Sequence, residues 1–118
     1  MSDKKRVHFR AAFYNTEQGS GVGIERYEPG KPVKITYIAS VYFDEGLSSR
    51  EAVKFIMSHV EKLIGEDEEA MIRLQRRYNL PNWNKVLIRK VENPVRLTEA
   101  YNLANDALQR KSTITEEI

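Results

Sequence analysis

Hydrophobic and polar residues alternate along the first third of the chain. The clearest run is 6–14, in which aromatic and aliphatic side chains recur at every second position. Two further runs, 22–27 and 33–43, follow a glycine-bearing turn at 15–21 and a Pro-Gly turn at 28–31. A period of two is typical of β-strands, and connections this short allow only antiparallel neighbours. The pattern therefore predicts an antiparallel meander of three strands.

Helical spacing replaces the alternation after the third strand. Ser48 and Glu51 have the spacing of a capping box, in which each side chain satisfies a free backbone amide of the other residue. Apolar residues then recur every three or four positions up to Gly65, which predicts an amphipathic first helix. Residues 67–78 carry acids at their start and arginines at their end. That charge order matches the helix dipole and predicts a second helix.

The rest of the chain adds a strand and a helix. Residues 85–91 predict a fourth strand, and Asn93 followed by Pro94 predicts the capped start of a third helix. The order β-β-β-α-α-β-α predicts a two-layer α+β fold, with a mostly antiparallel four-stranded sheet and the helices on one face. Residues 1–111 are expected to form this single domain, and residues 112–118 a flexible acidic C-terminal tail.

Composition fits such a domain and narrows its chemistry. The chain has 118 residues, of which 41% are hydrophobic and 31% charged, so it can bury a core beneath a well-solvated surface. It contains no cysteine, which excludes disulfides, thiolate metal sites and cysteine nucleophiles. No apolar run approaches the roughly 20 residues that a membrane helix needs. We therefore expect a cytoplasmic protein with no membrane partner.

Charge is distributed unevenly, although the net charge is only +2. Basic residues dominate the stretch 73–96, and such a segment attracts phosphate or an acidic partner. The polar side of the predicted meander also carries basic and aromatic side chains. In proteins that bind single-stranded nucleic acids, such side chains contact the phosphates and stack on the bases. The candidate binding residues are His8, Arg10, Tyr14, Lys34, Tyr42, Arg73, Arg76, Arg77, Trp83, Lys85, Arg89 and Lys90.

Catalytic and metal-binding patterns are weak in this sequence. The glycines of residues 19–23 lead into a strand and not into a helix, so they indicate a flexible hairpin and not a phosphate-binding loop. His8 and His59 are the only histidines, and neither has a second ligand at a metal-binding spacing. We therefore expect no catalytic residue, no metal and no cofactor, and a non-enzymatic role is favoured over an enzyme.

Two kinds of binding function follow from these residues. One is a small non-catalytic module whose basic surface engages nucleic acid or a nucleotide. The other is a protein–protein interaction or inhibitor domain, including a homodimer formed through the open sheet. The aromatic sheet face serves both, since protein interfaces are also enriched in aromatic residues and arginine. Trp83 fits either as a satellite core residue or as an interface anchor.

Parts of the chain resemble the ribonuclease H-like fold. A three-strand meander followed by a helix is that family's order, residues 15–23 stand at its glycine-rich turn, and residues 99–108 resemble its closing helix. Glu51 would match the catalytic glutamate of the first helix. The family's first-strand aspartate falls near Asn15, its closing-helix aspartate falls on Tyr101, and its central strand with a further aspartate has no clear place. The resemblance implies a degenerate member without two-metal hydrolysis.

Overall fold

The computed structural model describes residues 5–75, 86–90 and 93–118. The strands are β1 (Lys5–Thr16), β2 (Gly19–Glu28), β3 (Lys34–Phe43), β4 (Glu68–Leu74), β5 (Val86–Lys90) and β6 (Ile114–Glu117), and the helices are α1 (Ser49–Glu61) and α2 (Thr98–Arg110), with a 3₁₀ turn at Pro94–Leu97. Within these residues the strands form one mixed sheet in the order β5-β4-β1-β2-β3-β6. Neither α1 nor α2 is long and apolar enough to cross a membrane.

The meander predicted from the alternation is confirmed. β1 pairs antiparallel with β2, and β2 pairs antiparallel with β3. Ala11 stands opposite Ile24, and Ile24 opposite Ala39, so all three contribute to the same face of the sheet. These side chains have no exposed surface. The alternation therefore identified the buried face correctly, because a half-buried strand alternates between the core and the other side.

α1 covers that buried face and begins where the capping box predicts. The amide of Glu51 donates to Oγ of Ser48, and the amide of Ser48 donates to Oε1 of Glu51, both at 3.1 Å. Val53, Ile56 and Val60 are fully buried against the sheet. The helix thus has both a local start signal and an apolar stripe, which explains why the sequence predicts it well.

The predicted second helix is wrong in the residues that the structure describes. Glu68–Leu74 forms β4, which lies parallel to both β1 and β5, while residues 76–78 fall outside the described ranges. Ala70, Ile72 and Leu74 are fully buried on the α1 side, and Met71 is buried on the other. Burial on both faces is typical of a parallel strand. Pairing with two neighbours outweighs the charge order that suggested a helix.

The sequence predicted that all helices lie on one face of the sheet, but the structure places α1 and α2 on opposite faces. Val22 and Ile24 of β2 face α1, so the alternating Gly21 and Gly23 face the opposite side. α2 lies there, so close that a Cβ atom at either glycine would overlap a backbone carbonyl oxygen of α2. The described fold is therefore α+β, as predicted, but it has three layers with the sheet between α1 and α2. The sequence predicted two layers and a four-stranded, mostly antiparallel sheet, whereas the described strands form a six-stranded mixed sheet. The sheet face expected to serve as an open platform or dimer surface is largely covered.

The C-terminal residues add a strand to the sheet. Residues 112–118 are expected from the sequence to form a flexible acidic tail, whereas Ile114–Glu117 forms β6 and pairs antiparallel with β3. Nη2 of Arg26 lies 2.7 Å from Oε2 of Glu117, and the amide of Ile118 donates to the carbonyl of Thr36 at 3.0 Å. These backbone and side-chain contacts extend the sheet beyond β3.

The contact between β2 and α2 can be tested at Gly23. The Gly23→Ala substitution should lower the free energy of unfolding by about 1–3 kcal/mol, because overpacking forces the backbone of α2 away from the sheet. Gly65→Ala is the matched control, since its Cβ would meet no atom nearer than 3.6 Å. Urea denaturation of both variants measures the difference. Equal stability of the two variants would contradict this packing.

Candidate functional site

A cleft of about 430 Å³ opens on the α2 side of the sheet. It lies where β1, the β2–β3 turn, β4 and the 3₁₀ turn meet. We name it the basic cleft, after its lining residues His8, Arg10, Tyr27, Pro29, Gly30, Val33, Arg73 and Arg96. Three of the candidates chosen from the sequence, His8, Arg10 and Arg73, come together there.

A buried ion pair holds Arg10 at the floor of the basic cleft. Nε of Arg10 lies 2.8 Å from Oε1 of Glu25, whose side chain is 2% exposed. The guanidinium carbon stands 4.2 Å from the centre of the Tyr27 ring, and Nη1 donates to the carbonyl of Arg96 at 3.1 Å. Arg10 therefore connects β1, β2 and the 3₁₀ turn, and its charge is balanced by Glu25.

The protonation of Glu25 reflects the same surroundings. Burial raises the pKa of Glu25 above its ordinary value, because the charged form loses its water. Arg10 opposes this rise in the pKa by stabilising the carboxylate, and the nearby Glu99 adds to it. Glu25 therefore acts as the counter-ion of Arg10, and its side chain is too buried to reach a ligand in the cleft.

Arg73 and Arg96 are the cations that the cleft offers to a ligand. Among the described residues, neither forms an ion pair with a carboxylate. Arg73 is half-buried beside Arg10, because the parallel pairing of β1 and β4 sets the two residues opposite each other. Arg96 is exposed in the 3₁₀ turn, where its amide donates to the carbonyl of Asn93 at 3.1 Å. Two guanidinium groups that line one cleft, with no counter-ion among the described residues, are suited to bind an anion.

His8 lies beside these arginines in the lining of the cleft. Its ring centre stands 5.6 Å from that of Tyr27, and its buried Nδ1 has no hydrogen-bond partner within the described part of the chain. Burial lowers the pKa of His8, and the positive charges of Arg73 and Arg6 lower it further. These surroundings therefore favour the neutral form of the ring in the absence of an anion.

The structure places three other candidates away from the basic cleft. Tyr14 packs against Tyr101 of α2, with ring centres 5.2 Å apart. Tyr42 lines a separate depression between β3 and α2, and Lys34 is exposed at the start of β3. The sequence prediction grouped these residues because they share a strand face, but α2 divides that face. Tyr14 and Tyr42 do not form one surface with His8 and Arg10, and Lys34 follows Val33 in the chain but does not line the cleft.

The remaining candidates belong to the basic segment that follows β4. Arg76, Arg77, Trp83 and Lys85 lie outside the described residues. Arg89 and Lys90 belong to β5, and their side chains are also outside what the structure describes. Their part in binding therefore stays a prediction.

Sequence reasoning did not include three important residues in the candidate set. Arg96 belongs to the basic segment but lies at a predicted helix start. There Asn93 and Pro94 indicate a helix cap, and nothing indicates a binding role for Arg96. Glu25 is an acid inside a strand, which is itself a signal of a buried partner, although the sequence does not show which cation it meets. Val33 begins the third predicted strand, and nothing in the pattern shows that it lines a cleft.

Metal-dependent hydrolysis has no evident basis in the part of the chain that the structure describes. There, no three histidine, aspartate or glutamate side chains come close enough to hold a metal ion. Glu51, which the resemblance matches to a catalytic glutamate, accepts the amide hydrogen bond of Ser48. The hydrogen bonds with Ser48 also lower the pKa of Glu51. The described residues therefore do not fit a two-metal centre, whereas the basic cleft fits an anion.

Comparison with known proteins identifies the fold. No family model and no curated protein sequence matches the chain. In structure it is similar to LC11-RNase H1, isolated from compost by a metagenomic approach, with a TM-score of 0.64 and 12% identity over 91% of this chain and 98% of that one. It is also similar to RNase H1 from the halophilic archaeon Halobacterium salinarum NRC-1, with a TM-score of 0.59 and 11% identity over 89% and 98%. The chain therefore has a ribonuclease H-like fold, as the partial resemblance in its sequence indicated.

A double substitution tests the ion pair beneath the cleft. Glu25→Met should lower the free energy of unfolding by about 3–5 kcal/mol, because it leaves the Arg10 charge buried without a counter-ion. Adding Arg10→Met to that variant should recover much of the loss, since an apolar pair of similar volume avoids burying a charge. Urea denaturation of the single and double variants measures both effects. Additive losses would mean that the two side chains are not coupled.

The pH dependence of stability tests the surroundings of His8. Its pKa lies below 6.5 in the folded chain, so the unfolded chain takes up a proton first as the pH falls. His8 therefore lowers stability as the pH drops below about 6.5 and has no such effect above it. Burial lowers the pKa of His59 as well, so His8→Gln should make the loss shallower without abolishing it. Urea denaturation between about pH 7.5 and 5.5 measures the slopes, and equal slopes would contradict this description.

Proposed function

We propose that the chain is a non-catalytic nucleic-acid-binding module that contacts phosphate groups through the basic cleft. The observation that carries the proposal is the pair Arg73 and Arg96, which enter one cleft and have no counter-ion among the described residues. A guanidinium group matches the oxygens of a phosphate with two parallel hydrogen bonds. The cleft thus supplies the positive charge that binding to a nucleic-acid backbone requires.

The positions of these side chains also support the proposal. Arg73 stands on a central strand of the sheet, and the 3₁₀ turn that carries Arg96 is hydrogen-bonded to Arg10. Because Glu25 balances Arg10, the positive charge facing the cleft comes mainly from Arg73 and Arg96. The backbone at positions on regular elements does not have to be ordered when a ligand binds, which favours affinity.

The fold supports a polynucleotide as the ligand. The two similar solved structures are both named as ribonucleases, and a ribonuclease acts on RNA. Likeness of fold alone does not assign an activity, so it serves here only as an analogy. The analogy and the cationic cleft agree on a phosphate-bearing polymer. The same described residues offer no set of carboxylates for two-metal chemistry, which favours binding over cleavage.

Salt-dependent binding tests the proposal. Arg73→Gln and Arg96→Gln should each weaken binding of a labelled oligonucleotide and reduce the slope of log affinity against log salt by about one. The matched control is Arg50→Gln, which removes an exposed guanidinium from α1 on the other side of the sheet. Fluorescence anisotropy at several salt concentrations measures affinity and slope.

Three results would contradict the proposal in different ways. The absence of binding at low salt would remove nucleic acid as the ligand. An equal loss of affinity in Arg50→Gln would show that binding depends on overall charge and not on the cleft. Magnesium-dependent cleavage of the oligonucleotide by the unmodified chain would show that it is an enzyme.

A further inference from the structure

The two sides of the basic cleft differ in chemistry. One side is cationic and carries Arg73 and Arg96 beside His8 and Arg10. The other side comes from the β2–β3 turn and carries Pro29, Gly30 and Val33. Pro29 and Gly30 are exposed, and Val33 is 38% exposed. A ligand that fills this cleft meets charge on one side and an apolar surface on the other.

Tyr27 does not supply the apolar surface. Its side chain is only 7% exposed, with the Arg10 guanidinium 4.2 Å from the ring centre and the His8 ring 5.6 Å away. The faces of this aromatic ring are therefore already in contact with protein groups. The apolar area available to a ligand comes from Val33 and Pro29, because these residues are the exposed ones.

The cleft is the size of a small-molecule site. Its volume of about 430 Å³ falls within the range of roughly 300–1,000 Å³ typical of pockets that enclose one small ligand. A double helix keeps its base faces stacked inside and presents phosphates and groove edges to a protein. A duplex would contact the cationic side and leave the apolar side unused. A single strand can turn out one base and use both sides.

We propose, resting on the proposed function, that the basic cleft takes one unstacked nucleotide of a single-stranded nucleic acid. The phosphate binds Arg73 and Arg96, and the face of the base packs on Val33 and Pro29. Base faces are apolar in all four nucleotides, so contact with an aliphatic surface does not read the sequence. The cleft therefore prefers single strands over duplexes, with little preference among bases.

Paired binding measurements on one sequence test this preference. The probes are a labelled ten-nucleotide DNA strand of mixed sequence and the duplex of that strand with its complement, both at low salt. The single strand should bind more tightly than the duplex, although the duplex carries more charge. Val33→Ser should weaken binding of the single strand roughly three- to tenfold, through the loss of apolar contact, and leave duplex binding unchanged.

Val95→Ser is the matched control for Val33→Ser. Val95 is 73% exposed in the 3₁₀ turn, next to Arg96 in the chain, and does not line the cleft. This substitution should leave the binding of both probes unchanged. Thermal melting of both variants checks that they fold, which is expected because each valine is exposed.

The outcomes separate this inference from the proposed function. Tighter binding of the duplex, or an unchanged single-strand affinity in Val33→Ser, overturns the single-nucleotide site while nucleic-acid binding through Arg73 and Arg96 stands. An equal loss in Val95→Ser also overturns it, because the effect would then not belong to the cleft. The absence of binding to either probe overturns both proposals together.

Discussion

The ion pair between Arg10 and Glu25 is the interaction on which the basic cleft depends. It joins β1 and β2, the two central strands of the sheet, and through Arg10 it also holds the 3₁₀ turn that carries Arg96. Burying two charges costs desolvation energy that their attraction only partly offsets, so such a pair is weak evidence for stability. Its structural consequence is clearer. The pair fixes the floor of the cleft, and Glu25 neutralises the positive charge of Arg10. The cations that remain for a ligand are Arg73 and Arg96, which line the cleft around the ion pair.

A second constraint determines where a ligand can bind. Gly21 and Gly23 allow α2 to approach β2 so closely that the helix covers the middle of the sheet. The sheet is then covered by α1 on one side and by α2 on the other. Polar side chains near the sheet centre, such as Ser40, bond to α2 and do not reach solvent. The surface left open to a ligand lies at the end of the sheet, where the 3₁₀ turn leads into α2 and β2 turns into β3.

Local rules explain which parts of this fold could be predicted from the sequence. The alternation in β1 and the capping box at Ser48 act within a few residues, so the meander and α1 were predicted correctly. β4 was predicted as a helix because its charges are ordered like those of a helix, and only pairing with β1 and β5 shows that it is a strand. The side of the sheet chosen by α2 depends on how Gly23 fits against Ala100, which no local pattern displays.

The candidate site could be predicted only in part, because sequence patterns are local and the site is formed by distant parts of the chain. Alternation shows that His8, Arg10 and Tyr14 share a face, but it does not show that α2 covers one end of that face and leaves the other accessible. Arg73 was chosen for its charge, and its place beside Arg10 follows from a strand that the sequence did not predict. Arg96 and Val33 were missed because their relevance arises only when the two turns meet around the cleft.

We propose that nucleic acid binds in the basic cleft. The most direct measurement is a titration of the isotope-labelled chain with a short single-stranded oligonucleotide, followed residue by residue by NMR. We expect the largest chemical-shift changes on Arg73, Arg96 and Val33, with small changes along α1. Shift changes concentrated at Tyr42 and β6, or on α1, would contradict binding in the cleft.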